Sequence, residues 1–409
     1  MRTSGPVRAS LVLLLVATFV GSASSQGVAV YGESLGSQWN ATTSYPTAIL
    51  NSGCVVDSGY VYCVAGRTAV GGSGIDLVYY ARLSSSGVGQ WASTTRYPTT
   101  MDVPSCSASL DYVYCIGGWN GSKITADVYY ARLSSNGVSS WNSTAKYPFP
   151  VEDQSCTTDS DYIYCVGGFN GTSSTSASYY SRLLPSGGIN GTWVPGGSYP
   201  AGIGYPDCVA ASGYIYCIGG YNHGNTNEAY YAPFSSNGVG SWNQTTSYPG
   251  PTSGSSGEVC VVYSAYVYCS LHGGSSFYFS QLSSKGLGSW NSTTSYPMND
   301  QFQSCVAYSS SLYCIGGNAA NATSSVAPTN ATFYVSIAPT PVPEFPDSIV
   351  ATLFVANALA ASLILVDRLR SRTVRRPQHE ATIQPSWKIR KPAVRPNGTL
   401  IPWLYHRNR

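Results

Sequence analysis

The 409-residue sequence predicts an all-β body made of six copies of one unit, and three observations carry that prediction. Charged residues are 10% of the chain and aromatics 13%, whereas ordinary soluble domains are roughly a quarter charged. That balance excludes a disordered chain, a coiled coil and a helix-rich cytosolic protein, all of which need charge-rich surfaces. Short aromatic and β-branched segments alternate with Gly, Ser, Asn and Pro turns, and no amphipathic helical period runs through the body. One pattern then recurs six times in register.

The chain opens with Arg2 and Arg8, the apolar run Leu11–Val20 and the small residues Gly21–Ser25. A basic segment, a short apolar core and a small-residue site predict a secretory signal peptide over residues 1–25. The formal charge of +3 hides a segregation. Residues 27–340 sum to −6 and residues 367–409 to +9. A weakly acidic body repels phosphate, so nucleic acid is not an expected partner.

The repeats are marked by cysteines nine positions apart: Cys54/Cys63, Cys106/Cys115, Cys156/Cys165, Cys208/Cys217, Cys260/Cys269 and Cys305/Cys314. Each second cysteine follows a Tyr-Val-Tyr or Tyr-Ile-Tyr run, or Leu312-Tyr313 in the sixth copy. Gly117-Gly118, Gly167-Gly168, Gly219-Gly220 and Gly316-Gly317 come next, with Ala65-Gly66 in the first copy and Gly273-Gly274 in the fifth. Tyr79-Tyr80, Tyr129-Tyr130, Tyr179-Tyr180, Tyr230-Tyr231 and Phe277-Tyr278 follow, and then Trp91, Trp141, Trp193, Trp242 and Trp290.

Over residues 28–338 this pattern resembles the kelch repeat: a first strand, a tyrosine-bearing second strand ending in Gly-Gly, a third with Tyr and a fourth with Trp. The resemblance implies a six-bladed kelch-type β-propeller, one four-stranded blade per repeat around a central channel. The sixth copy ends at Phe333-Tyr334-Val335 without a Trp strand. The segment Gln38–Pro46 closely matches Ser289–Pro297, so the N-terminus is expected to supply the missing strand and close the ring. Val28–Tyr31 reads as an extra edge strand.

Pairing each Cys with its partner nine residues on centres a two-residue hairpin loop on Ser58-Gly59, Leu110-Asp111, Ser160-Asp161, Ser212-Gly213, Ser264-Ala265 and Ser309-Ser310. Counting outward, the cysteines are the fourth pair and fall at a non-hydrogen-bonded site, where the two backbones are close enough for a disulfide. Six intra-repeat disulfides are expected, in keeping with a secreted chain. The spacing is not that of a zinc site.

Chemistry-bearing residues are few. His223 and His272 are the only histidines of the body and occupy different repeat positions. A copper oxidase of the galactose oxidase kind needs two His, two Tyr and a Cys–Tyr crosslink, and here the cysteines already have partners. No catalytic triad, nucleophile elbow, phosphate loop or EF-hand loop is legible, so no metal or other cofactor is expected. Asp102, Glu152, Asp153, Asp207, Glu258 and Asp300 recur before the first strands, on one expected rim, and read first as a solvated acidic edge. Arg82, Arg132 and Arg182 likewise read as solvated strand ends. Trp119, Phe169 and Tyr221 share one position after Gly-Gly, each followed by Asn. They serve turn structure first, and they are also the foremost candidates for stacking on a ligand.

Sequons stand at Asn40, Asn120, Asn142, Asn170, Asn190, Asn243, Asn291, Asn321 and Asn330, several of them next to a repeat Trp on the expected outer strand. A Pro-rich spacer fills residues 339–347 and an uncharged apolar run residues 348–366, long enough to cross a bilayer. Val342–Pro346 ahead of that run and its following arginines resembles the C-terminal sorting signal of archaeal surface proteins. The arginines from Arg368 to Arg376 place the basic tail, 367–409, in the cytoplasm by the positive-inside rule. The expectation is a single-pass type I cell-membrane protein whose extracellular propeller binds a protein or glycan partner. An extracytoplasmic carbohydrate-active enzyme and a structural envelope component are the alternatives.

Overall fold

In a computed structural model, the described residues are 34–338 without 70, 225, 251–258, 271–273, 299–301 and 320–326. The chain divides into a unit Met1–Val342 and a unit Pro343–Arg409. The expected signal peptide, the Val28–Tyr31 strand, the spacer, the membrane span and the basic tail all lie outside the described residues. Among those described, no helix is long and apolar enough to cross a membrane.

Six antiparallel sheets make a six-bladed β-propeller. Blade 1 shows the plan: Gly53–Asp57, Tyr60–Val64 and Val78–Ser84 pair in order. The first strands of the blades are Gly53–Asp57, Ser105–Ser109, Ser155–Asp159, Asp207–Ala211, Cys260–Tyr263 and Ser304–Tyr308. They contact one another in a closed cycle around the axis. Each first hairpin turns on the expected two residues. Both turn residues have positive φ at Ser58-Gly59, Leu110-Asp111, Ser212-Gly213 and Ser309-Ser310, as a type I′ turn requires.

The fourth strand differs from expectation in being split. In blade 1, Gly87–Val88 and Ala92–Ser93 pair separately with the third strand, and Trp91 stands between them. In blade 6 the N-terminal segment takes this role. Ser34–Leu35 pairs with Ile337 and Ala338, Asn40–Ala41 pairs with Phe333 and Tyr334, and Trp39 lies between. The ring therefore closes as the sequence implies.

The core is six wedges, each shared by two neighbouring blades. One joins Tyr62, Val64 and Val78 of blade 1 to Met101, Val113 and Leu133 of blade 2. All six expected disulfides are formed: Cys54–Cys63, Cys106–Cys115, Cys156–Cys165, Cys208–Cys217, Cys260–Cys269 and Cys305–Cys314, with Cα separations of 4.0 to 4.1 Å.

The sequence treats the two cysteines of a pair alike, and the structure separates them. Cys63, Cys115, Cys165, Cys217, Cys269 and Cys314, on the second strands, are fully buried, one in each wedge. Their partners on the first strands also line the central channel, although Cys156, Cys208, Cys260 and Cys305 are themselves buried members of the wedges. Each disulfide thus ties the channel wall to a wedge of core.

Such close backbones belong to non-hydrogen-bonded pairs. A first-strand cysteine therefore directs its N–H away from its hairpin partner and towards the preceding blade. There a side chain accepts it: Ser304 Oγ for Cys54, Ser105 Oγ for Cys156, Ser155 Oγ for Cys208 and Asp207 Oδ2 for Cys260, at 2.7 to 3.2 Å.

Farther out, a second contact repeats without exception. Trp39, Trp91, Trp141, Trp193, Trp242 and Trp290 each donate Nε1–H to a backbone carbonyl of the preceding blade, at 2.9 to 3.3 Å. Each indole also meets the preceding blade's Tyr of a Tyr-Pro pair edge-on, with ring centroids 4.8 to 5.1 Å apart. An aromatic contact and a hydrogen bond together make this an inter-blade clasp, with the indole buried at Trp39 and Trp193 and half-buried at the other four.

Candidate functional site: the channel mouth on blades 1 to 4

The loops after Gly-Gly and the connections into the first strands gather on one face of the ring. The glycine pairs fold there because the chain needs left-handed φ in tight contact. Gly118 has φ 98°, and a Cβ on it would come within 2.7 Å of the Asp102 carbonyl oxygen. The residue after each pair then exchanges two backbone hydrogen bonds with the connection into its own blade. Trp119 faces Asp102, Phe169 faces Glu152 and Tyr221 faces Gly204; in blade 1 the same position holds Arg67, facing Leu50. The three aromatics foreseen as ligand contacts thus share a face with the acids foreseen as its edge.

The next residue along each connection is unusual. Asn51, Val103, Asp153, Tyr205 and Phe302 stand three positions before the first cysteine of blades 1, 2, 3, 4 and 6. All five have positive φ, between 47° and 61°. Asn and Asp accept this conformation, but for a β-branched residue such as Val103 it is a true outlier. All five line the mouth of the central channel, in a cavity of about 280 Å³.

The cysteines divide at this cavity. Cys54, Cys106, Cys156, Cys208, Cys260 and Cys305 are part of its wall. Cys63, Cys115, Cys165, Cys217, Cys269 and Cys314 are not, and with no exposed surface they offer a ligand nothing to touch. These six are structural residues, confined to their disulfides and the core.

Among the described residues, Arg67, Asp102, Glu152 and Asp153 from blades 1 to 3 line one cavity. Arg67 Nη1 lies 3.1 Å from Asp102 Oδ2, and Asn51 Nδ2 and the Val103 N–H donate to Asp102 Oδ1 at 3.2 and 3.0 Å. Burial still outweighs these partners and raises the Asp102 carboxyl above its usual range. Burial and then the Asp102 charge raise Glu152 as well. Asp153 is pushed up to about 8, by burial first and Glu152 next, against an opposing hydrogen bond from the Tyr205 hydroxyl. Its Oδ1 is buried and accepts no hydrogen bond among the described residues.

Two cavities meet at this pair, sharing Glu152, Asp153 and Tyr205. One of about 600 Å³ runs between blades 3 and 4 and has Phe169, Tyr221 and His223 in its wall. The other, of about 320 Å³, has Arg67, Asp102 and Trp119 in its wall. Asp102, Glu152 and Asp153 are therefore part of a walled site, where the sequence suggested a solvated rim. Asp207 stands apart from them, since its carboxylate accepts the Cys260 N–H. Glu258, Asp300 and His272 lie outside the described residues.

Arg82, Arg132 and Arg182 are exposed at the other end of the blades, opposite Tyr60, Tyr112 and Tyr162. No group of three or more His, Cys, Asp or Glu able to hold a metal occurs among the described residues. The sequons Asn40, Asn142, Asn170, Asn190, Asn243, Asn291 and Asn330 are exposed, Asn120 is half-buried, and Asn321 lies outside the described residues. Sequence reasoning missed Arg67, Asn51, Val103, Tyr205 and Phe302. Their signal was positional, a fixed offset from Gly-Gly or Cys, and five different residue types concealed it.

The solved structure of YjhT is similar to this chain with a TM-score of 0.57 at 15% identity, covering 70% of this chain and 95% of that one. At that identity the likeness speaks to the fold alone. No family model and no curated protein matches the chain.

Proposed function

We propose that this protein is an extracytoplasmic binding module: a kelch-type propeller, glycosylated on its outer strands and held by the 348–366 segment, that takes a protein or glycan ligand at the channel mouth of blades 1 to 4. One observation carries the reading. Five positions at the mouth hold left-handed backbone, which glycine adopts freely, yet they carry Asn51, Val103, Asp153, Tyr205 and Phe302. Strain kept where side chains line a cavity is a mark of function. The six disulfides support an oxidising compartment.

The test is a glycan and peptide array probed with the full-length protein. Ligands of this site lose binding with Phe169→Ala or Tyr205→Ala and keep it with Arg132→Ala on the opposite face. Hits indifferent to the first two variants, or no hits, would sink the proposal.

A second reading, a carbohydrate-active enzyme, is favoured by one feature: two adjacent carboxyls, Glu152 and the burial-raised Asp153, line one cavity, the pairing that general acid–base chemistry uses. It requires sugar turnover by the purified protein that Asp153→Asn abolishes.

A further inference from the structure

We propose that the cavity between blades 3 and 4 is a receptor for an ammonium group, carried on a ligand about the size of a monosaccharide. This rests on the binding reading above and narrows it to a chemical class.

The wall of the cavity is short of one positive charge. Glu152 and Asp153 both line it. Within the protein Glu152 makes hydrogen bonds through its backbone N–H and C=O to Phe169, and none of the described residues bonds its side chain. Asp153 has the hydroxyl of Tyr205 on its carboxyl and a second, buried oxygen without a partner. The nearest guanidinium, Arg67, is engaged by Asp102 at 3.1 Å and lines the neighbouring cavity. Among the described residues, His223 is the only basic side chain in the wall.

Glu152 and Asp153 line this cavity with no cation paired to either carboxyl among the described residues, and the Glu152 charge adds to burial in disfavouring the ionised Asp153. A bound ammonium supplies that cation. It also supplies several N–H donors, which the unpartnered Glu152 carboxyl in the wall can accept. Phe169 and Tyr221 line the same cavity, and aromatic faces attract a cation through their negative quadrupole. An anionic ligand meets repulsion from the carboxyls. A neutral sugar can stack on the rings but leaves the charge problem unrelieved. A volume of about 600 Å³ falls within the usual range of small-ligand sites.

The experiment uses full-length protein and ligand-observed NMR titration with three probes: tetramethylammonium, glucosamine and its neutral counterpart N-acetylglucosamine. Glucosamine is expected to bind at least tenfold more tightly than N-acetylglucosamine, with tetramethylammonium competing against it. Glu152→Gln should weaken glucosamine about tenfold and leave N-acetylglucosamine unchanged, with an unaltered unfolding midpoint. Phe169→Leu should weaken both ammonium probes severalfold. Equal affinity for glucosamine and N-acetylglucosamine, or no ammonium binding at all, overturns the inference. If array ligands then still depend on Phe169, the binding reading survives without it; if nothing depends on Phe169, both fall.

Discussion

Trp39 and Tyr296 lie 257 positions apart in the sequence, yet their rings meet edge-on with centroids 5.0 Å apart and planes at 89°. Trp39 Nε1 donates to the carbonyl of Thr294 at 3.2 Å. This is the clasp of every other blade boundary, made here by the first described strands against the fifth blade. The closing joint makes the same hydrogen bond and edge-on ring contact as the other five, and its indole is more deeply buried than Trp91, Trp141, Trp242 or Trp290.

Trp39→Ala is therefore expected to cost about 3–5 kcal/mol, at least as much as truncating the half-buried Trp91 or Trp141. Trp39→Phe should recover most of that and lose only the hydrogen bond, about 1 kcal/mol. Urea unfolding of the three alanine variants checks this order. A Trp39→Ala cost far below the others would mean that the N-terminal segment is dispensable for closure.

The buried tyrosines divide into two classes with opposite expected signs. The Tyr62 hydroxyl donates to the Ser134 carbonyl of the next blade at 2.8 Å, so Tyr62→Phe should destabilise by about 0.5–1.5 kcal/mol. The Tyr97 hydroxyl is buried with no partner among the described residues. Tyr97→Phe should then stabilise by about 1 kcal/mol, since an unsatisfied buried hydroxyl costs about that or more. Equal signs in thermal melts would refute the distinction.

Leu110 occupies a type I′ turn at φ 54° with its side chain 39% exposed. It holds a left-handed conformation while leaving a large part of its surface in solvent. Replacing Leu110-Asp111 by Asn-Gly, the preferred pair for this turn, should raise stability by about 0.5–1 kcal/mol. A lowered unfolding midpoint would show that Leu110 makes a contribution its exposure hides.

Asp153 gives a pH signature. The unfolded chain holds an Asp at about 3.9, while the folded protein holds this one at about 8. Between these values the folded state binds more protons, so stability falls as pH rises from about 4 through about 8 and levels above. The slope reaches at most about 1.4 kcal/mol per pH unit. Asp153→Asn should remove it and leave the variant the more stable protein at pH 8. A slope unchanged in Asp153→Asn would place its origin elsewhere.

Each disulfide closes a loop of eight residues, for which chain entropy gives about 2–3 kcal/mol. Cys54→Ala/Cys63→Ala should lose that much and still fold. Mass spectrometry of the unreduced, alkylated protein should find no free thiol.

The fold was legible because its period is written in rigid chemistry. Cys at a nine-residue separation fixes a two-residue turn, and with it the register and the disulfide. Which cysteine of a pair meets the channel and which the core was not legible, because both sit in strands of similar composition. The split fourth strand was not legible either, because two-residue pairings on either side of Trp91 leave no alternating pattern to read. The Trp–Tyr clasp could have been found: Tyr45, Tyr97, Tyr147, Tyr199, Tyr248 and Tyr296 each precede a proline. Their partners lie in the next repeat, so no local window joins them. Of the site, Trp119, Phe169 and Tyr221 were visible as one recurring chemical type. The ring from Asn51 to Phe302 was not, since its members share only a backbone conformation. The acids were visible, but their burial is a property of the walls around them.

The pairing of Ser34 with Ala338 also fixes how the ring bears load. Chain enters and leaves the propeller at the same strand edge, so tension applied at residue 338 runs along Thr332–Ala338 in blade 6. That strand is flanked on one side by Ser311–Ile315 and on the other by Ser34–Leu35 and Asn40–Ala41. The pull loads these pairings in shear, with their hydrogen bonds sharing the force, rather than peeling them one at a time. The joint made by the start of the chain is thus the one that a pull on its end meets first, and clipping residues 34–41 would turn a shear-resistant ring into one that unravels from its last blade.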